Sequence, residues 1–371
     1  AYEDLATAEA DYRRGLELSP NSAKGHHGLA VVLYETPSRR DEALAMLDRA
    51  RKLDPLRPAY DVTRAVFLLY ERADVRGADD LLADVLRRHP DYQPALARLS
   101  EVRGFCMGRS ADAIEYAERA LSLDPLAEEV RRGLLRFYLA VGDVAAAEDV
   151  VSSAPHESIV RRIPVLVHQR DWVAAGDAAY EGLALQTFGP KDIALGVIAI
   201  RMHARTTRDF ERARHALQAA SHVQWDVTGS PLLPDRPGLR EEAIGLADVL
   251  VAMGRGLEGR RLLAVILERM RREIDGGRSE YWYRITHSLA LAVNDDPEAA
   301  LAMLQRAVSS RYALNDWWYY FEVEPAFASL HKDPRFTAML ETARANSVEQ
   351  RRELDRRRKD GRVPARGAAG P

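Results

Sequence analysis

The sequence predicts an all-α solenoid of antiparallel helical hairpins. Prolines recur at Pro20, Pro55, Pro90 and Pro125, each 35 residues after the last. Ala8, Ala43, Ala78 and Ala113 stand twelve residues before those prolines, Tyr12, Leu47, Leu82 and Ala117 eight before, and Gly15, Ala50, Val85 and Ala120 five before. With 47% hydrophobic and 29% charged residues in 371, the chain is apolar enough to fold and too apolar for a disordered one.

Each element follows from that register. The offsets i, i+4 and i+7 lie on one helix face. Small side chains at the first and third positions let a neighbouring axis approach, and a larger apolar residue fills the gap between them. Proline then stops the helix, because it has no N–H for the ladder. A first helix precedes each of these second helices, as over Ser22 to Tyr34, Pro58 to Tyr70 and Pro94 to Phe105, with short turns such as Gly108-Arg109-Ser110 and Gly142-Asp143 between. Pro155 and Pro190 extend the spacing. Phe210 to Ala220 reads as a second helix, Leu239 to Met253 with Leu257 to Met270 as a hairpin, and Tyr281 to Val293 with Pro297 to Val308 as another. This predicts about eight hairpins with partial units at the ends. Pro231, Pro234 and Pro237 bar a helix from Gln224 to Gly238, which reads as a long loop or a hinge. The expected division is an array over 1–222, the proline-rich loop or hinge over 223–238, further hairpins with a terminal cap over 239–345, and a charged helix end with a disordered tail over 346–371. The helix from Asp4 to Leu18 has second-helix character without a first helix before it, which suggests upstream structure or another chain to cover it.

The unit resembles the tetratricopeptide repeat, whose period is about 34 residues. Tyr34, Ala43, Leu47, Ala50 and Pro55 fit that pattern, while His27, Ala30 and Val31 replace its Trp, Leu and Gly. The resemblance implies a right-handed superhelix whose first helices line a concave groove. The run Asp316-Trp317-Trp318-Tyr319-Tyr320-Phe321, with Glu324-Pro325-Ala326-Phe327 and Asp333-Pro334-Arg335-Phe336, resembles the closing unit of such regions in bacterial winged-helix regulators and in cyclases with a TolB-like segment. In that group the repeats are non-catalytic interaction or sensing modules. An aromatic plug covering the last apolar face is the plain reading of the run, and a ligand platform the alternative.

Composition narrows the function classes. The net charge of −3 supplies no field to attract nucleic acid or anionic lipid. Cys106 is the single cysteine, so neither an internal disulfide nor a multi-cysteine metal or cluster site can form. That fits the cytoplasm and also allows a periplasmic setting behind an upstream anchor. The longest apolar run, Ile193 to Ile200, is too short to cross a membrane and reads as a buried helix. Gly254-Arg-Gly256-Leu-Glu-Gly259 matches a dinucleotide fingerprint as text, but helical pattern on both sides makes it a hairpin turn. The histidines lack metal-ligand spacing, so no metal or other cofactor is expected. Arginines 351, 352 and 356 to 358 alternate with acids and read as a solvated helix rather than a nucleic-acid surface.

The groove positions implied by the resemblance are Tyr60, Thr63, Phe67 and Tyr70, then Arg98, Val102 and Phe105, then Glu129, Arg132 and Arg136. Aromatics beside arginines suit an acidic partner segment with one apolar anchor; the plainer reading is packing residues beside solvated arginines. The expected function is a non-catalytic protein- or peptide-binding scaffold in a bacterial signalling protein. Its alternatives are a small-molecule sensor or enzyme with a pocket near 223–238, and an oligomerisation module acting through the N-terminal helix.

Overall fold

The computed structural model describes residues 2–154, 159–188, 192–234, 240–276, 279–312 and 314–366. Pro155, Pro190, Pro237 and residues 367–371 lie outside these. After α1 (Tyr2–Leu18), eight hairpins follow among the described residues: α2 (Ala23–Tyr34) with α3 (Arg40–Leu53), α4 (Pro58–Arg72) with α5 (Val75–Arg88), α6 (Gln93–Glu101) with α7 (Ser110–Leu123), α8 (Glu128–Ala140) with α9 (Val144–Ser152), α10 (Ile163–Gln169) with α11 (Trp172–Ala184), α12 (Ile193–Thr207) with α13 (Phe210–Ser221), α14 (Arg240–Ala252) with α15 (Gly256–Asp275), and α16 (Arg284–Val293) with α17 (Pro297–Ser309). In every hairpin the two helices pack together. A short α18 (Trp317–Tyr320), a 3-10 segment (Pro325–Lys332) and the long α19 (Pro334–Lys359) close the chain. The fold is therefore all-α and tetratricopeptide-like.

The alanine seam lies where the register places it. Ala43, Ala78 and Ala113 are fully buried, as are Leu47, Ala50, Val85, Ala117 and Ala120. The first unit differs: Tyr12 is half exposed and Gly15 borders open space, while α1 packs mainly on α2 and reaches Arg39 and Glu42 through ion pairs of Glu9 and Arg13.

The turns inside the hairpins share one construction. Ala73, Gly108, Gly142, Arg170, Arg208, Gly254 and Asp295 all take left-handed backbone, with φ between +49° and +80°. In five of them the next residue is an aspartate, Asp74, Asp143, Asp171, Asp209 or Asp296. Its carboxylate accepts the backbone N–H three residues on and caps the second helix. The dinucleotide-like glycines belong to this scheme. Gly254 makes the turn, and a Cβ on Gly259 would come within 2.8 Å of the Ala247 carbonyl, so Gly259 lets α15 lie close on α14.

One sequence expectation needs correction. The charged end is helical and packed on one face: α19 runs unbroken to Lys359, and the chain stays in contact with α7 and α9 through Arg366. Leu354 and Val363 are buried there and Arg357 is ion-paired, which supplies the stabilisation a lone charged helix lacks. The proline-rich stretch, expected as a loop or a hinge, is a fastened loop over its described residues, 224–234. Gln224–Trp225 pairs antiparallel with Pro231–Leu232. The Asp226 carboxylate ties the turn by accepting from the backbone of Thr228 and Ser230. Arg261 and Arg269 donate to the carbonyls of Gly229 and Pro234, fastening the loop to α15. Both α12 and α13 pack on α14, so helix stacking continues across the loop.

The seam has no room for extra volume. Ala113→Leu is expected to destabilise the chain by about 1–3 kcal/mol, read as a lowered urea midpoint, because the buried position cannot accommodate the larger side chain without backbone shifts.

Candidate functional site

The array curls until first helices from most of its hairpins meet around one cavity of about 330 Å³. Tyr70 comes from the end of α4, and Glu101, Phe105 and Cys106 from the end of α6 and the π-helical turn Val102–Cys106 that extends it. Arg136 comes from α8, and the starts of α12, α14 and α16 contribute Ile193, Glu241 and Thr286. The opposite wall is the C-terminal segment, with Tyr312, Asp316, Tyr319 and Tyr320. The volume falls at the lower end of the range for small-ligand sites, about 300–1,000 Å³. No described residue of 223–238 lines this cavity.

The wall is fixed by a buried ion pair. Arg136 donates from Nε to Asp316 at 3.1 Å and from a terminal nitrogen to the Tyr319 hydroxyl at 3.2 Å, with its guanidinium over the Phe105 ring at 4.7 Å. Asn315 donates to Asp316 from behind, and its own side-chain oxygen lies 3.2 Å from the Ser110 hydroxyl. Trp317 donates from its indole to the Ala140 carbonyl. Trp318 and Phe321 are buried, so the aromatic run is a plug, and two of its tyrosines also face the cavity. Burial, reinforced by neighbouring tyrosines and the Asp316 carboxylate, holds the Tyr312 and Tyr320 hydroxyls well above the ordinary phenol range, so both stay neutral. The cavity is thus lined by neutral phenols, a phenyl ring, carboxylates and one guanidinium already engaged.

The ten expected groove residues divide sharply. Tyr70, Phe105 and Arg136 reach the cavity. Tyr60, Phe67 and Val102 are buried in repeat packing and Arg136 is buried in its ion pair, so these four cannot present themselves on an open groove. Phe67 stacks on Tyr34 at 3.8 Å between ring centres, and Tyr60 packs against His27. Thr63 donates to the Ala59 carbonyl, which leaves its oxygen to accept from His27 Nε2 at 2.7 Å. Arg98 pairs with Glu101, and Arg132 with Asp192 and, more distantly, Glu129. Glu101, Glu241 and Tyr312 escaped the sequence reading, because nothing local shows that ends of six helices converge; Tyr319 and Tyr320 belong to the aromatic run for which a ligand platform is the alternative.

No group of His, Cys, Asp and Glu suited to a metal ion occurs among the described residues. No described helix is long and apolar enough to cross a membrane.

Residues 107–158, covering the turn before α7 through α9, match the family described as tetratricopeptide repeat. No curated protein matches the sequence. Among solved structures the chain is similar to the APC/C hetero-tetramer Cut9–Hcn1, at 15% identity and a TM-score of 0.47, over 92% of this chain; it spans 60% of that chain's length. It is also similar to the tetratricopeptide domain of P58(IPK), at 13% identity and a TM-score of 0.23, over 93% of this chain and 94% of that one.

Two outcomes follow from the site. Arg136→Ala leaves Asp316 buried without its cation and is expected to cost about 3–5 kcal/mol in urea unfolding, whereas Arg136→Met with Asp316→Leu costs less. Next to the wall residue Glu241, Glu242 is buried, and its Oε2 meets no hydrogen-bond donor among the described residues. Burial, helped by the Glu241 charge, pushes the Glu242 carboxyl up to about 7. The folded chain therefore holds a proton that the unfolded chain, at about 4.3, releases. This contribution is favourable below about pH 4 and is lost as pH rises through about 7. Glu242→Gln should match the parent's stability near pH 4 and exceed it by about 1–3 kcal/mol near pH 8; a gap independent of pH would contradict the assignment.

Proposed function

We propose that this chain is a non-catalytic scaffold that holds a segment of another protein along its inner face, with one side chain of that segment seated in the central cavity. The convergence of first-helix ends from α4 to α16 on a single aromatic-walled cavity supports this reading most directly. Repeat arrays expose extended surfaces that suit such binding, and a buried aromatic or apolar anchor is the usual source of affinity in a contact of this kind. The anchor is apolar or aromatic, because the cavity's guanidinium is already engaged with Asp316 and Tyr319. Arg98 and Arg132, partly exposed on α6 and α8, would complement acidic residues flanking the anchor by exchanging their pairs with Glu101 and Asp192. The C-terminal aromatic run resembles that of bacterial regulators and cyclases, and we place the chain in a signalling protein of that kind, working in the cytoplasm.

Peptides selected from a random display library against the whole chain are expected to carry an aromatic or large aliphatic residue and to lose roughly tenfold or more in affinity on Tyr70→Ala. Tyr70 is partly exposed, so the substitution leaves the core intact. Selected peptides indifferent to that change would place binding elsewhere and remove this reading.

A further inference from the structure

The C-terminal arginines occupy a surface that repeat packing does not use. On α7 the seam residues Ala113, Ala117 and Ala120 serve the array. Asp112, Glu115 and Glu118 lie beside that seam, and Asp143 and Asp149 continue the acidic stripe onto the start and middle of α9. Outside residues 346–366, Arg109 pairs with Asp112 and the Tyr138 hydroxyl donates to Glu118, while Asp143 caps α9.

The segment meets the stripe in register. Ser347, Gln350, Leu354 and Arg357 share one face of α19 at helical spacing. Ser347 donates to the Ala140 carbonyl at 2.7 Å, and Gln350 accepts from the Ala111 backbone at 3.1 Å. Arg357 donates to Asp112 at 2.6 Å and Glu115 at 2.9 Å. Arg358 reaches Asp143, whose other oxygen caps α9. Past the helix, Arg362 pairs with Glu115, and Arg366 with Glu118 and Asp149. From 346 to 366 the buried apolar residues are Leu354 and Val363. The contact is therefore mainly electrostatic. Arg357 is buried in its pairs and Arg358 and Arg366 are largely covered, while Arg362 is half open to solvent, where such a pair is individually weak and screened by salt.

We propose that the acidic stripe of α7 and α9 is a docking surface for arginine-rich helical segments of protein partners, and that residues 346–366 are its built-in occupant. A partner segment with arginines at matching spacing displaces the chain's own end. This surface is separate from the central cavity and does not depend on the function proposed for it.

The probe is a synthetic peptide with this chain's own sequence 346–366, titrated into the full chain carrying Arg357→Glu and Arg366→Glu. The peptide is expected to bind this variant at least roughly tenfold more tightly than the parent, with affinity falling as salt rises from about 50 to about 500 mM. A peptide with glutamine in place of arginine at 357, 358 and 366 should not bind. Equal or absent binding to variant and parent, or binding indifferent to salt, would overturn the proposal, provided that circular dichroism shows the variant folded. Should the variant fail to fold, hydrogen exchange on the unaltered chain decides. Added salt should speed exchange in the last two turns of α19 and leave α12 unchanged, and no response in α19 would refute displacement.

Discussion

Buried arginine–carboxylate pairs hold this array closed. Arg136 on α8 meets Asp316, 180 residues away in sequence. Arg201 on α12 sits between Asp248 of α14 and Glu324, which precedes the 3-10 segment, while Arg205 shares Asp248. Arg357 on α19 meets Asp112 and Glu115 on α7. Desolvating these ions costs several kcal/mol each, and attraction at low dielectric offsets that cost only with close, well-oriented partners. Such pairs therefore add less to net stability than to geometry. Each partner is strongly penalised anywhere else, so the C-terminal segment has one place to go.

That placement turns a curved surface into a bounded site. An open solenoid presents a groove with no fixed end. Here Tyr312, Tyr319 and Tyr320 stand across from Tyr70 and Phe105 and give the inner face a far wall. The same residues that plug the last apolar face of the array thereby furnish the cavity. The plug and platform readings of Trp317 to Phe321 do not compete: Trp318 and Phe321 serve the core while their tyrosine neighbours serve the cavity.

The hairpins were legible in the sequence because a repeat is a local object. Proline spacing and the i, i+4, i+7 alanine register report contacts within a hairpin and with its neighbour, and Ala43, Ala78 and Ala113 are buried accordingly. Closure was not legible, because no periodic signal reports contacts some 200 residues apart. Arg136 and Arg357 look like solvated surface arginines in one dimension, and only the fold brings their carboxylates to them. The groove register failed at Tyr60 and Phe67 for a related reason. Neighbouring first helices lie close enough there for Tyr34 and His27 to cover both rings. One local signal was present and overlooked: a residue in the left-handed turn followed by aspartate recurs at Ala73-Asp74, Arg170-Asp171 and Arg208-Asp209, and marks hairpin turns as reliably as the prolines mark their ends.

Closure also changes how stability is distributed. In a simple stack each unit depends on its neighbours, and terminal units fray first. Here the terminal segment is paired with α7, α8 and α12, so releasing it strands charges in the middle of the array rather than at its edge. Opening the curl must break the Arg136 and Arg201 pairs together with the aromatic plug. Fluctuations that would widen the cavity are correspondingly costly. A cavity held to one shape before binding spares a ligand much of the ordering cost that a flexible groove would impose. The far end of α19 stands outside this closure. Arg357 is buried in its pairs with Asp112 and Glu115, whereas Arg358, Arg362 and Arg366 pair nearer the surface, and none of these residues lines the cavity. Releasing that end costs its own ion pairs but leaves the Arg136 and Arg201 pairs, and the cavity they bound, in place.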